Sequence, residues 1–340
     1  MKNKKWIALA AAVVLAVTAL PMGVFAAKKD STEEKLTKVT LNEVAHSIFY
    51  APQYVAIEEG YFAEKGLDLT LVTGFGADKT MTAVISGEAD IGFMGAEASV
   101  YAYQEGATDP VVNFAQLTQR AGNFLVAREE MPDFKWEDLK GEKVLGGRKG
   151  GMPEMVFEYI LKKNGMDPQK DLTIDQSIDF GSTAAAFTSD DSAAYTVEFE
   201  PSATILEKEG AGYVVASLGE ASGYVPYTSY STKASYMKEN PEIIQKFTDA
   251  LQKGMDYVQN HTPEEIAEVI APQFKETDLE TITAIVKRYY DQDTWKENLI
   301  FEKDSFELLQ DILEDAGELT DRTAYENLVQ TEYAQKACKN

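Results

Sequence analysis

The side chains able to do chemistry gather in short loops that directly follow apolar runs. His46-Ser47-Ile48-Phe49-Tyr50 comes soon after Val39-Thr40-Leu41, and Asp78-Lys79-Thr80 opens a segment with Met81, Val84 and Ile85 at helical spacing. Glu97 and Ala98 follow Ile91-Gly92-Phe93-Met94, and Gln119-Arg120-Ala121-Gly122-Asn123 joins two apolar stretches. A glycine-rich turn holding Arg148, Lys149, Gly150 and Gly151 runs into Met152. Glu198 and Glu200 close another apolar run, and Tyr224 and Tyr227 lie further on. In an open α/β sheet, loops at the carboxyl ends of strands are where ligands sit. Backbone N–H groups at helix starts suit anions, and aromatic rings suit flat rings. These positions are therefore expected to bind a small molecule. Each also has a plainer use: Phe49 and Tyr50 as core, Arg148 and Lys149 as solvated loop charges, the glycines as tight turns.

Catalytic patterns are missing. The chain has two histidines and one cysteine, Cys338, which leaves no disulfide and no zinc-ligand spacing. There is no G-x-S-x-G elbow and no phosphate-binding G-x-x-x-x-G-K-[ST] loop. Gly74-Phe75-Gly76 lacks the third glycine of a dinucleotide fingerprint. No cofactor and no metal are implied.

Stepping from loops to the elements that must carry them, strand and helix patterns alternate from residue 37 onward. Leu67, Leu69 and Leu71 alternate with polar neighbours, as a strand facing a core does. Met152, Met155, Val156, Tyr159 and Ile160 mark one face of a helix. The β-α order runs through twice, predicting two α/β lobes with largely parallel sheets. The expected boundaries are 37–124 with 228–340 for lobe one and its C-terminal helices, and 125–227 for lobe two. The last third is helical, with Ile244, Phe247, Leu251, Met255 and Val258 on one face of residues 241–260. Capping boxes are expected at 262–265 and 277–280, and further helices at 304–316 and 323–337.

The N-terminus has Lys2, Lys4 and Lys5, an apolar run from Trp6 to Leu20, and small residues at Val24 and Ala26. That is the pattern of an export signal cleaved after Ala26, followed by a flexible leader at 27–36. The predicted product is exported, periplasmic or at the cell surface, without a lipid-attachment cysteine at the cleavage point. The formal charge of −24 argues against nucleic acid and against an anionic membrane surface as partners.

Several stretches carry a family resemblance. Tyr50-Ala51-Pro52-Gln53-Tyr54-Val55-Ala56 runs into Glu59-Gly60-Tyr61-Phe62 and Lys65-Gly66-Leu67, and Ser86-Gly87-Glu88-Ala89-Asp90-Ile91-Gly92 follows. Phe199-Glu200-Pro201, Gly212-Tyr213-Val214-Val215 and Asn240-Pro241 extend the likeness. The chain resembles the substrate-binding proteins of ABC importers for nitrate, sulfonates, taurine and thiamine pyrimidines. The resemblance implies a type II periplasmic-binding-protein fold of two lobes, with crossover strands near 123–127 and 223–230. It also implies a monomer that carries a small ligand to a membrane permease and its ATPase. Two departures stand out: the missing lipidation cysteine, and Thr188–Ala193 where relatives carry a G-x-x-D turn. An enzyme on the same scaffold, like the pyrimidine synthases, and a sensory binding module are the alternatives. Arg120, Arg148 and Lys149 would suit a sulfonate-like anion. His46, Phe49, Tyr50, Tyr224 and Tyr227, with Glu97 and Glu200 as acceptors, would suit a thiamine-type heterocycle, which the sequence favours.

Overall fold

The computed structural model describes residues 36–178 and 181–339. The expected export signal and the leader up to Lys35 lie outside these residues. Among the described residues, ten strands form two five-stranded sheets. The strands are β1 (Thr37–Glu43), β2 (Leu67–Thr73), β3 (Ile91–Met94), β4 (Val111–Thr118), β5 (Asn123–Ala127), β6 (Lys143–Leu145), β7 (Thr173–Asp175), β8 (Tyr195–Phe199), β9 (Tyr213–Ser217) and β10 (Thr228–Lys233). The first sheet has the order β2-β1-β3-β10-β4 and the second β7-β6-β8-β5-β9.

Both sheets are mixed, where the sequence pointed to largely parallel ones. β1 pairs in parallel with β2 and β3, but β10 runs antiparallel to β3 and β4. In the second sheet β6 is parallel to β7 and β8, while β5 is antiparallel to β8 and β9. The cause is topological. β5 and β10 each begin just after the chain has crossed from the other sheet, through 119–122 and 223–227. They enter from the side where their parallel neighbours end, and so run against them. Strand order along the sequence does not reveal this reversal. The strands expected as crossovers are thus full members of a sheet, and the short segments before them do the crossing.

The helix Pro241–Asn260 buries Ile244, Phe247, Leu251, Met255 and Val258, the predicted face. It crosses the helix Ala51–Glu58 closely. A Cβ on Gly254 would lie 2.2 Å from the Pro52 carbonyl oxygen and 3.1 Å from Ala56 Cβ, so only glycine admits this approach. Thr262 forms the expected capping box with Glu265. At the next helix the cap is Asp278, not Thr277; its side chain accepts from the Thr281 N–H. Gly76 is the N-cap of the helix Ala77–Ser86, and Asp78 lies in its first turn. The helix expected over 323–337 is two short pieces, Tyr325–Leu328 and Glu332–Ala337. Val329 between them bridges to Asn113 on β4, a tertiary contact that overrides the local helical pattern.

Gly254→Ala is expected to force these two helices apart. Overpacking of this kind costs about 1–3 kcal/mol. The melting temperature of the variant should fall by several degrees in a calorimetric scan, and an unchanged value would contradict the close crossing.

Candidate functional site

The loop after β1 is built on a buried carboxylate. Glu43 ends β1 and is fully buried. Its oxygens accept from Gln53 Nε2 at 2.8 Å, Tyr54 Oη at 2.9 Å and Thr73 Oγ1 at 3.1 Å, and pair with His46 Nδ1 at 2.8 Å. His46 also meets the Gln273 carbonyl through Nε2 at 2.9 Å, and its ring lies against Tyr54 and Phe274. The hydrogen bond to Glu43 raises its pKa above the usual histidine value. His46 therefore anchors the loop on its outer side and does not face the junction between the lobes.

The next residues do face it. Phe49 and Tyr50 are buried and touch each other with ring centroids 5.2 Å apart. Phe49 also meets Tyr227 at 5.6 Å and Phe199 at 5.9 Å, and Tyr227 meets Phe199 at 6.2 Å. Gly122 permits this: a Cβ there would fall 2.5 Å from the Phe49 ring. The wall thus combines the first loop, the second crossover and β8 of the other lobe. Asn123 pairs with Phe199 across β5 and β8, and neither of its side-chain polar atoms has a partner, although both are buried.

Glu97 sits where the lobes meet. It is the first residue of the helix Glu97–Gln104, beside Tyr50 and Tyr227. Its carboxyl meets the backbone N–H groups of Glu97 itself and of Met152. Met152 opens the helix Met152–Lys163 of the second lobe, so the starts of two helices from opposite lobes converge on one carboxyl. The other oxygen, Oε2, is buried without a partner, as is Tyr227 Oη. Burial outweighs the two N–H groups and lifts the Glu97 pKa to about 7. Glu198 is also lifted to about 7 by burial, against the pull of Thr196 and Thr183. Buried polar atoms are nearly always paired, so the unpaired atoms of Glu97, Tyr227 and Asn123, together with Arg120 Nε, make this junction the candidate binding site.

Other predicted residues serve the frame. Glu200 accepts from Thr204 N at 2.9 Å, Thr204 Oγ1 at 3.0 Å and Arg288 Nη1 at 2.6 Å. Its oxygens are thereby taken, and it ties a helix start to the C-terminal helix Leu279–Asp291. Burial raises its pKa in spite of Arg288. Thr80 is buried and donates to Asn42 Oδ1 at 2.8 Å. Asp78 pairs with Arg148 at 3.5 Å on the surface, and Lys79 is exposed. Lys149 pairs with Glu318 at 3.4 Å. Arg120 donates to the Gly219 carbonyl and lies 4.3 Å from the centre of the exposed Tyr224 ring. Gln119 donates to the Asp293 and Trp295 carbonyls. Ala98 packs in a small separate cluster with Met81 and Val84. Gly150 takes a positive φ and its carbonyl accepts from Tyr101 Oη across the junction, while Gly151 precedes the Met152 helix.

Phe199, Tyr101 and Tyr289 were not among the predicted residues. Strand alternation could have flagged Phe199, since it must face opposite to Glu198 and Glu200. Tyr289 donates to the Gly122 carbonyl at 2.8 Å, from a helix far along the chain that no local pattern links to this loop. A groove of about 370 Å³ lies elsewhere, between Met152–Lys163 and residues 314–318. Its lining includes Glu154, Glu158, Asp167, Glu314, Lys149 and Lys162, which is the character of a solvated surface rather than a ligand pocket.

Two mixed sheets joined by two crossovers, with aromatic and orphaned polar groups shut between them, define the fold of the substrate-binding proteins of ABC import systems. The chain belongs to the NMT1/THI5-like family, whose model matches residues 48–266. It is 47% identical to "Putative binding protein YtlA" of Bacillus subtilis, over 92% of this chain and 93% of that one. It is 25% identical to the riboflavin-binding protein RibY of Chloroflexus aurantiacus, over 68% and 65% of the two chains. Among solved structures it is similar to the alkanesulfonate-binding protein SsuA of Xanthomonas axonopodis pv. citri bound to MOPS. That match has a TM-score of 0.69 at 15% identity and covers 87% of this chain and 99% of the other.

The raised pKa of Glu97 fixes a sign for stability. Its carboxyl titrates near 4.5 in the unfolded chain and about 7 when folded. Between those values the folded state holds a proton that the unfolded state has released. The contribution, on the order of 3 kcal/mol, is present below the unfolded value and lost as pH rises through the folded one. Glu97→Gln should therefore melt higher than the parent at pH 8 and show a shallower fall from pH 5.5 to pH 8. Equal slopes in the two proteins would contradict the burial of an unpaired carboxyl. Glu200→Gln should behave oppositely. It weakens the bond to Arg288 and the helix cap, so the melting temperature should drop at pH 8; a higher one would refute the structural role.

Proposed function

We propose that this chain is the exported receptor of an ABC importer, and that it closes its two lobes over a flat nitrogen heterocycle and hands it to a membrane permease. The observation that carries this reading is the place of Glu97. In an anion receptor, helix starts at the junction would meet the ligand's negative charge. Here the starts of the helices Glu97–Gln104 and Met152–Lys163 already meet a carboxyl of the protein. Basic side chains near the junction are engaged elsewhere: Arg148 with Asp78, Lys149 with Glu318, and Arg288 with Glu200 and Glu207, while Arg120 donates through Nη1 to the Gly219 carbonyl and keeps a buried Nε without a partner. The wall of Phe49, Tyr50, Phe199 and Tyr227 suits a ring, and Asn123 offers a donor and an acceptor side by side.

In this reading the residues before Ala27 direct export and are removed, and the receptor acts without catalysis. The similarity to YtlA and RibY supports a binding role. The resemblance to importer components supports a permease partner.

A thermal-shift screen of the protein tests it, with nitrate, taurine, benzenesulfonate, aminopyrimidines, thiamine and riboflavin as probes. A ligand at 100 times its Kd stabilises by about 2.7 kcal/mol. A shift with a ring compound and none with nitrate or either sulfonate is the expected result. A shift with an anion alone would overturn the heterocycle reading.

A further inference from the structure

The groups around Glu97 offer it no positive charge. Tyr101 faces it from its own helix, Tyr50 from the first loop and Tyr227 from the second crossover. From the opposite lobe comes the Met152 backbone N–H. Beyond Tyr101 stand two more acids, Glu154 and Glu318. Arg148 and Lys149, on the loop leading to Met152, turn away to Asp78 and Glu318. Among the described residues no ion pair joins Glu97 to Lys, Arg or His. A buried carboxylate without a counter-charge is a costly arrangement. Its free oxygen, Oε2, folds over Gly95, where a Cβ would lie 2.0 Å from it, and Tyr227 Oη is likewise buried without a partner.

We propose that the ligand's ring carries a positive charge, with Glu97 as its counter-charge and the rings of Phe49, Tyr50 and Tyr227 packed against it. The inference rests on the heterocycle reading of the site and adds the charge. Carboxylate and aromatic rings are complementary to a cation for one electrostatic reason: both place negative potential where the charge would sit. A neutral ring accepting a proton from Glu97 would use the same residues, yet the two cases differ in pH dependence. A cation needs the ionised carboxylate, so its affinity rises with pH. A neutral acceptor needs the protonated acid, so its affinity falls.

Calorimetric titration distinguishes them. The probes are thiamine and 1-methylnicotinamide as permanent cations, nicotinamide and riboflavin as uncharged rings, and benzenesulfonate as a ring anion. Binding of a permanent cation is expected, with affinity about tenfold higher at pH 8 than at pH 6. Glu97→Gln should weaken that cation at least about 30-fold at pH 8, with a melting temperature no lower than the parent's. Binding of an uncharged ring in preference to its cationic match, affinity that falls as pH rises, or cation binding unaffected by Glu97→Gln would overturn the charge assignment and leave the heterocycle reading standing. Binding of benzenesulfonate alone, or of none of the five, would overturn both.

Discussion

The site depends first on how one buried carboxylate is satisfied. Glu43 lies at the end of β1 with no exposed surface, and burying it bare would be prohibitive. Gln53, Tyr54, Thr73 and His46 supply hydrogen bonds to its two oxygens. Two of those partners, Gln53 and Tyr54, lie on the helix that follows the loop, and His46 lies on the loop itself. The loop is thus gathered around Glu43 from both ends, which fixes where Phe49 and Tyr50 emerge. The network reaches further, because Tyr230 of β10 donates to Gln53 Oε1 at 2.9 Å. The strand that returns from the second lobe is therefore tied to the same carboxylate that shapes the first binding loop.

A second set of contacts governs the crossovers. Tyr289 donates to the Gly122 carbonyl, Gln292 to the Ala121 carbonyl and Trp295 to the Phe49 carbonyl. Arg288, on the same helix, holds Glu200 and Glu207 of the second lobe. The C-terminal helix Leu279–Asp291 and the segment after it thereby brace the hinge on its back. Across the front run the buried bond from the Met152 N–H to the Glu97 carboxyl, the half-buried bond of Tyr101 to the Gly150 carbonyl, and the exposed pair of Arg148 with Asp78. Exposed pairs of this kind contribute little. A hinge braced on one side by a helix is the kind of joint about which hinged binding proteins open and close.

Much of this was legible in the sequence, but unevenly. Alternation at Leu67, Leu69 and Leu71, the stripe from Ile244 to Val258 and the cap at Thr262 are local patterns, and they folded as read. Phe49, Tyr50, Glu97 and Tyr227 could be singled out because loops after strands are where an α/β sheet meets its ligand. Glu43 was missed for a physical reason: a glutamate ending a strand looks like a surface residue until the four partners around it are known. Glu200 misled in the opposite way. It follows a strand as a ligand acceptor would, but Arg288 reaches it from 88 residues away, a pairing with no local signature. His46, likewise, is turned from the junction by Gln273, which lies 227 residues on.

The charge of the whole chain and the character of the site belong to one argument. A formal charge of −24 surrounds the protein with negative potential, which favours the approach of cations over anions. Inside, the same preference is made local. The helix dipoles at Glu97 and Met152 would favour an anion, yet the carboxyl of Glu97 occupies that position and keeps its second oxygen buried without a partner. On the proposed reading, one acidic side chain at a helix start makes two converging helix starts present a negative charge in place of receiving one. On that reading, likeness of fold to a sulfonate-binding protein does not carry its ligand chemistry with it, because the fold supplies the two converging helices and the residue at their starts sets the sign of charge they are offered.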